Sequence, residues 1–261
     1  ADFSIPMEGL YFYYYYIDTP SGGFRLFKQG DDTNMEAGDL WQLSCIPADF
    51  TTPDWAKGAT IYQVFPDRFY ASGQADLTGK LKPYTIHENW DDEVDWKPTP
   101  DGQVLNNDFF GGTLRGVLSK LDYFESLHVR TLYFNPIFQA YSNHRYDTGD
   151  YKRIDPLLGN EEDFKTLCSE AAKRGMRVVL DGVFNHVGRG FWAFRDVQEK
   201  KWDSPYKDWF HISFDGDSCY GDGFWYEGWE GHFELVKLNL QNPAVVNYLL
   251  ESVRRWADRP L

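Results

Sequence analysis

Short alternations of hydrophobic and polar positions dominate the first fifty residues. The runs from Leu10 to Ile17, from Phe24 to Lys28 and from Leu40 to Ile46 have the composition of strands. Segments rich in glycine, proline and aspartate separate them, as turns require. The pattern predicts an antiparallel β module over residues 1–50.

After residue 50 the pattern changes to strands that alternate with helices. Predicted strands run from Ala59 to Phe65, from Val129 to Phe134 and from Arg177 to Phe184. Each is followed by an amphipathic helix that begins after a capping side chain. The predicted caps are Thr113, Asn160 and Asn242. Alternation of this kind predicts βαβ units on a parallel sheet.

Each predicted helix carries apolar residues three and four positions apart, the spacing of one buried face. The three stripes are Leu114, Val117, Leu118 and Leu121; Phe164, Leu167, Cys168 and Ala171; and Val246, Leu249, Leu250 and Val253. On the strands, we expect the inward faces around Val64, Leu132 and Leu180 to lack the partners that further strands would supply. The three units predict a second domain over residues 51–184.

A long segment, residues 185–240, separates the third strand from its helix and shows no clear helical period. It greatly exceeds an ordinary strand–helix connection, so we expect it to be a functional excursion and a separate domain. Residues 241–261 then form the third helix and the end of the chain.

The composition limits the classes of partner that this chain is expected to bind. The net charge is −14, which disfavours binding to nucleic acid, and no apolar run approaches the length of a membrane span. The three cysteines are dispersed and odd in number, so they indicate a reducing compartment. We expect a cytoplasmic protein. Secretion stays open, because a signal peptide removed beforehand would leave no trace.

Polar side chains gather where two of the predicted strands end. The segment Asp181 to His186 reads Asp-Gly-Val-Phe-Asn-His, and the loop from Ser142 to Tyr151 is dense in histidine, asparagine, aspartate and tyrosine. Parallel barrels keep their active sites at the carboxyl ends of strands. Carboxylates, imidazoles and one aromatic platform suit a sugar. The alternatives are a strand end capped by polar residues and a solvated turn.

Together these segments resemble the α-amylase family, glycoside hydrolase family thirteen. The matching stretches are Ile61–Phe69, Phe109–Leu114, Asn135–Phe138, the Ser142–Tyr151 loop and Asp181–His186. The resemblance implies an α/β fold: a partial (β/α)8 TIM barrel of three βα units, with a B domain inserted after strand three. Leu235-Val236-Lys237-Leu238-Asn239 is similar to a signature of the neopullulanase, cyclomaltodextrinase and maltogenic amylase branch, with valine where that branch usually has proline.

The resemblance also implies a retaining mechanism on α-glucosidic bonds. The nucleophilic Asp and the acid Glu of that family follow strands four and five, so we expect both beyond Leu261. This chain would supply the substrate-binding half of the site. Tyr146 would stack on the sugar, His144 and His186 would bind its hydroxyls, and Asp181 would orient neighbouring groups. Asn185 would tie the B domain to the barrel.

Further expectations rest on the same resemblance. Gln63 is either a ligand-facing residue or a buried strand glutamine. For the aromatics Phe191, Trp192, Trp209, Trp225 and Trp229, packing is favoured over lining of subsites. No cofactor is required, although calcium is a candidate. The loop Ala71–Asp76 offers few of the six to eight oxygen ligands that this ion prefers. Expected partners are an α-glucan oligosaccharide and either the rest of the same protein or further copies. The competing hypothesis is a non-catalytic glucan-binding or interaction protein.

Overall fold

The computed structural model describes residues 5, 7–73, 75–100 and 102–257. The chain divides into two compact units, Ala1–Lys57 and Gly58–Leu261. The expected end of the third helix, residues 258–261, lies outside the described residues, as do the first four residues of the β module.

The first unit is antiparallel β structure, as the alternation predicts. Its strands are β1 (Gly9–Tyr13), β2 (Tyr15–Thr19), β3 (Gly22–Gln29), β4 (Asp32–Asn34) and β5 (Trp41–Cys45). β1 pairs with β5, whereas β2, β3 and β4 form a separate sheet.

The single strand expected from Leu10 to Ile17 is wrong, because the chain changes partners at Tyr14. Residues before Tyr14 pair with β5 and residues after it pair with β3. The Tyr14 ring packs against Phe27 at 5.5 Å between ring centres. An unbroken hydrophobic run gives no local sign of such a change.

The second unit contains the alternating elements. In chain order they are β6 (Ile61–Val64), β7 (Thr85–Ile86), β8 (Asp108–Phe109), α1 (Leu114–Leu118), α2 (Leu121–Ser126), β9 (Thr131–Phe134), β10 (Phe138–Ala140), β11 (Thr148–Ile154), α3 (Glu161–Lys173), β12 (Arg177–Leu180), β13 (His186–Gly188), α4 (Trp192–Lys200), β14 (Ile212–Ser213), β15 (Trp225–Tyr226), β16 (Gly228–Trp229), β17 (His232–Lys237) and α5 (Pro243–Ala257).

The three predicted parallel strands are confirmed. β6 and β12 both pair with β9 in parallel, in the order β12–β9–β6. Gln63 and Val179 flank Tyr133 in register. Because the strands are parallel and in register, their carboxyl ends meet at one edge, and the side chains that follow them lie together.

The two faces of this sheet differ from the expectation. Val64, Leu132 and Phe134 have no exposed surface and belong to the hydrophobic core that also contains the helices, whereas Ile61 is 62% exposed on the other face. Side chains alternate between faces along a strand, so Val64 and Leu132 cannot share a face with Gln63 and Tyr133. The expectation that Val64 and Leu132 lack partners was wrong, because both are fully buried in the core that contains the helices.

The predicted caps of the first two helices are confirmed. The Thr113 hydroxyl accepts a hydrogen bond from the Gly116 N–H at 3.0 Å. Asn160 and Asp163 form a reciprocal capping box at the start of α3. The first helix is interrupted after Leu118 and resumes at Leu121, yet Leu114, Val117 and Leu121 all remain buried. The α3 stripe is buried throughout.

The predicted buried face of α5 is confirmed at Leu249 and wrong at its other three positions. Val246, Leu250 and Val253 are exposed, and the helix packs instead through its other side. The contacting residues on that side include Val245, Leu249, Tyr248, Ser252 and Trp256. Trp256 donates its indole N–H to the Tyr151 carbonyl at 2.7 Å. Aromatic side chains that also carry a hydrogen-bonding group hold this helix in place. A prediction from the spacing of aliphatic residues alone does not include them.

Residues 185–240 are more ordered than their sequence suggests. They contain α4 and five strands, so the expectation of no helical period was wrong for Trp192–Lys200. Their core is aromatic: Phe191, Phe194, Phe210, Phe224 and Tyr226 are buried. In the described part of the chain, no helix has the length and apolar character needed to cross a membrane.

Candidate functional site

Polar side chains meet at the carboxyl ends of β6, β9 and β12. The side-chain amide of Gln63 donates to Asn135 Oδ1 at 2.7 Å, and Gln63 is exposed. The alternative of a buried strand glutamine therefore does not apply. Asn135, which follows β9, was missed as a site residue, although it lies in a motif that the sequence analysis had singled out.

Tyr146 and Asp181 are in direct contact. The phenol oxygen donates to Asp181 Oδ2 at 3.0 Å, which joins the loop after β10 to the end of β12. Burial and this carboxylate raise the pKa of Tyr146 to about 12. Burial and the charge of Asp181 also raise the pKa of Tyr133, which lies on β9. Asp181 is thus an acceptor beside two protonated phenols.

The hydrogen bonds around His144 define its tautomer. The main-chain N–H of Tyr146 donates to His144 Nδ1 at 3.0 Å, so Nδ1 is the acceptor and the proton lies on Nε2. Burial lowers the pKa of His144 despite the nearby carboxylate of Asp147. The ring centres of His144 and Tyr146 are 5.7 Å apart. His144 is therefore a neutral donor beside the tyrosine ring.

His186 has the same protonation pattern in a more enclosed position. The Asn185 amide donates to His186 Nδ1 at 2.8 Å, which leaves the proton on Nε2. That nitrogen is buried, and no group of the described residues meets it in good hydrogen-bond geometry, although a main-chain interaction with Tyr146 partly offsets the effect of burial on the pKa of His186. The Trp229 ring covers the imidazole at 5.2 Å. A buried donor without a well-aligned acceptor is a position where a ligand oxygen would be stabilised.

Asn185 also connects the carboxyl edge of the parallel sheet to the end of the 185–240 segment, and it does so through its main chain. Its carbonyl accepts from the Leu238 N–H at 3.0 Å, beside the antiparallel pairing of β13 with β17. The side chain is used on His186 instead.

Buried charges beneath this loop were not predicted from the sequence. Lys80, Arg145 and Asp155 are all buried, with Lys80 Nζ 2.6 Å and Arg145 Nε 3.4 Å from the same Asp155 oxygen. Lys80 lies 75 residues before Asp155, and Arg145 belongs to the loop between β10 and β11. No local spacing could therefore have predicted their association.

Metal-ligating side chains are not clustered in the part of the chain that the structure describes. No group of three or more His, Cys, Asp or Glu side chains with suitable geometry occurs within the described ranges. In the Ala71–Asp76 loop, Asp76 accepts from the Thr78 N–H at 2.9 Å, and Gln74 lies outside the described residues. We derive no step through calcium.

The two site histidines predict a pH dependence of stability. Burial lowers the pKa of both below the value of about 6.5 for an exposed histidine. Between the lowered pKa values and about 6.5, the unfolded chain binds more protons than the folded one. The free energy of unfolding should therefore be highest above about pH 6.5 and fall as the pH decreases. Urea unfolding across this range measures it. The His186→Gln variant should show a weaker dependence, and an unchanged one would contradict the assignment.

Comparison with known proteins shows which family this chain resembles. The family model described as the α-amylase catalytic domain matches residues 63–261. The chain is 43% identical over 208 residues to the intracellular maltogenic amylase of Bacillus subtilis. This match covers 79% of this chain and 32% of that protein. It is 42% identical over 251 residues to neopullulanase 2 of Thermoactinomyces vulgaris, covering 95% of this chain and 40% of that protein.

A solved structure agrees with these matches. The type III pullulan hydrolase from Thermococcus kodakarensis superimposes with a TM-score of 0.69 and 32% identity, over 96% of this chain and 43% of that one. The likeness shows the barrel fold of the α-amylase family. The chain spans 32% and 40% of the length of the two curated relatives.

Proposed function

This chain belongs to the α-amylase catalytic-domain family, and on that premise we propose that it forms the substrate-binding half of a glycoside hydrolase active site. The complete gene product would act on α-1,4 or α-1,6 glucosidic bonds of maltodextrins, cyclodextrins or related α-glucans. The names of the maltogenic amylase, the neopullulanase and the pullulan hydrolase support this class of substrate.

The contact between Tyr146 and Asp181 carries this proposal. It holds an aromatic ring beside a carboxylate at the carboxyl edge of the sheet. His144 and His186 each present a neutral imidazole with the proton on Nε2. An apolar ring face, two N–H donors and a carboxylate acceptor match the apolar face and the hydroxyl groups of a glucosyl unit.

We assign roles on this geometry. Tyr146 stacks on the sugar at the cleavage point, and His144 and His186 donate to its hydroxyls. Asp181 orients Tyr146, Asn185 holds the His186 ring, and Gln63 with Asn135 borders the site. The nucleophile and the acid, which a retaining mechanism requires about 5–5.5 Å apart, come from a part of the protein outside these residues.

The finer architecture is part of the same proposal. β6, β9 and β12 are the first three strands of an eight-stranded barrel, and residues 185–240 are a B domain. The other proposed boundaries are those predicted from the sequence. They are the β module over residues 1–50, the half-barrel over residues 51–184 and the third helix over residues 241–261. The rest of the protein covers the outer edge of β12. The cytoplasm is the proposed compartment, supported by the intracellular relative.

The test measures both cleavage and binding. The complete gene product should release reducing sugar from maltodextrin, pullulan or cyclodextrin, with the α-anomer formed first. The purified 261-residue chain should release none, because it lacks the groups that form the glycosyl-enzyme intermediate. Binding of maltodextrin without release by the complete product would favour the non-catalytic alternative. Release by the chain alone would contradict the missing nucleophile and acid.

A further inference from the structure

Arg145 lies between two proposed sugar-binding residues, yet its own side chain is turned away from the solvent. It is 0% exposed, whereas its neighbours His144 and Tyr146 are half-buried. Its φ is +64°, a left-handed conformation that costs energy for any residue with a Cβ atom. Such a conformation persists only where the surroundings fix it, and it concentrates at functional sites.

Local hydrogen bonds hold the Arg145 turn from both ends. The guanidinium donates through Nη1 to the Asn143 carbonyl at 2.5 Å. The main-chain N–H of the same residue donates to Ser142 Oγ at 2.9 Å. Side chain and main chain therefore both close the loop on the residues that precede His144.

A buried carboxylate then fixes the turn to the body of the unit. Asp155 follows β11 directly and lies 3.4 Å from Arg145 Nε. The same carboxylate accepts from Lys80 Nζ at 2.6 Å, from the Ala140 N–H at 3.2 Å and from the Leu157 N–H at 3.1 Å. We call these contacts of Arg145 and Asp155 the tether. The tether connects the tip of the loop to β10, β11 and the segment that contains Lys80.

The arrangement is poorly explained by stability alone. Arg145 Nε and Nη2 make no hydrogen bond within the part of the chain that the structure describes, although both are buried. Buried ion pairs with unsatisfied donors contribute little to folding compared with apolar residues of similar size. What these contacts do achieve is a fixed direction for the loop, because the inward Arg145 leaves Tyr146 beside Asp181 and His144 against the Tyr146 ring.

We propose that Arg145 is a positioning residue: its buried guanidinium, held by Asn143 and Asp155, fixes His144 and Tyr146 against the substrate sugar. This inference rests on the proposed function. It assigns Arg145 no contact with the substrate. Its effect passes through the loop, and small displacements of groups at the reacting sugar lower the rate of the chemical step strongly.

The experiment compares Arg145→Met, Arg145→Lys and Leu167→Ala in the complete gene product, with maltodextrin as substrate. Leu167 is a fully buried α3 residue outside the site, so its variant is a control for general destabilisation. We expect kcat to fall about 100-fold in Arg145→Met and about 10-fold in Arg145→Lys, with smaller changes in KM. Leu167→Ala should lower the melting temperature and leave kcat and KM near the wild-type values.

The outcomes separate the two proposals. If the wild-type protein is inactive on α-glucans, the proposed function and this inference both fail. If the wild type is active and Arg145→Lys retains wild-type kcat and KM, only the positioning role fails. If Arg145→Met does not fold, Arg145→Lys decides, because it keeps the charge opposite Asp155 and loses the planar fork that reaches Asn143.

Discussion

Tyr146→Ala in the complete gene product should lower kcat/KM on maltodextrin by about 100-fold or more. The substitution removes the ring that stacks on the sugar and the phenol that donates to Asp181 at 3.0 Å. Both losses occur at the reacting sugar, where a displacement of about 1 Å can cost a factor of about 100. Initial rates over a range of substrate concentrations measure the effect.

Two further variants separate the contribution of the hydrogen bond from that of the ring and provide a control outside the site. Tyr146→Phe keeps the ring and loses only the hydrogen bond to Asp181, so we expect about a tenfold loss, since hydrogen bonds to charged groups contribute about 1.5 kcal/mol or more. Tyr16→Ala removes an exposed tyrosine from the first unit and should leave kcat/KM unchanged. A loss in Tyr16→Ala as large as that in Tyr146→Ala would show that the wrong loop has been assigned to the substrate.

The parallel sheet was predictable from sequence because its signals are local. The caps at Thr113 and Asn160 act within one helical turn, and the α3 stripe repeats at helical spacing. The loop residues Tyr146 and Asp181 were placed by motifs that follow two of these strands. Their contact follows from the parallel pairing of β9 and β12, since both strands then end at one edge.

Other features depend on contacts that local pattern does not contain. The α5 helix has two apolar sides, and the choice between them was decided by Tyr248 and Trp256, whose aromatic rings pack against Tyr151 and Phe138. The aliphatic spacing included Leu249, which is buried, together with Val246, Leu250 and Val253, which are exposed. Likewise, the change of partner at Tyr14 depends on β5, which lies far ahead in the chain.

The buried charges are the clearest case of information that spacing cannot give. Lys80 and Asp155 are 75 residues apart in the sequence, and each alone is a residue type that is usually found at the surface. Only the fold brings them to 2.6 Å. The same fold buries Arg145 between two residues that the motif had identified, which is why the tether became visible only in the structure.

The second large effect that we expect is association of the chain, and it concerns the free edge of β12. Among the described residues, β12 pairs only with β9, so its other side presents unpaired main-chain groups. Next to it lies an apolar groove of about 420 Å³, which Phe164, Leu180 and Val253 help to line. Val246, Leu250 and Val253 of α5 are 37%, 46% and 42% exposed. A free strand edge beside an apolar groove is the arrangement from which chains associate.

We therefore expect the 261-residue chain, purified alone, to form dimers or larger species. Each apolar side chain left exposed forgoes about 1.5–3 kcal/mol of burial, and a few such losses approach the total stability of about 5–15 kcal/mol of a typical domain. Size-exclusion chromatography with light scattering measures the mass over a range of concentrations. Leu250→Glu with Val253→Glu should shift the population towards monomer, whereas Met35→Glu, an exposed position of the first unit, should not. A compact monomer with one cooperative melting transition would mean that the β12 edge and its groove are satisfied within the chain itself, and that no further barrel strand is needed to cover them.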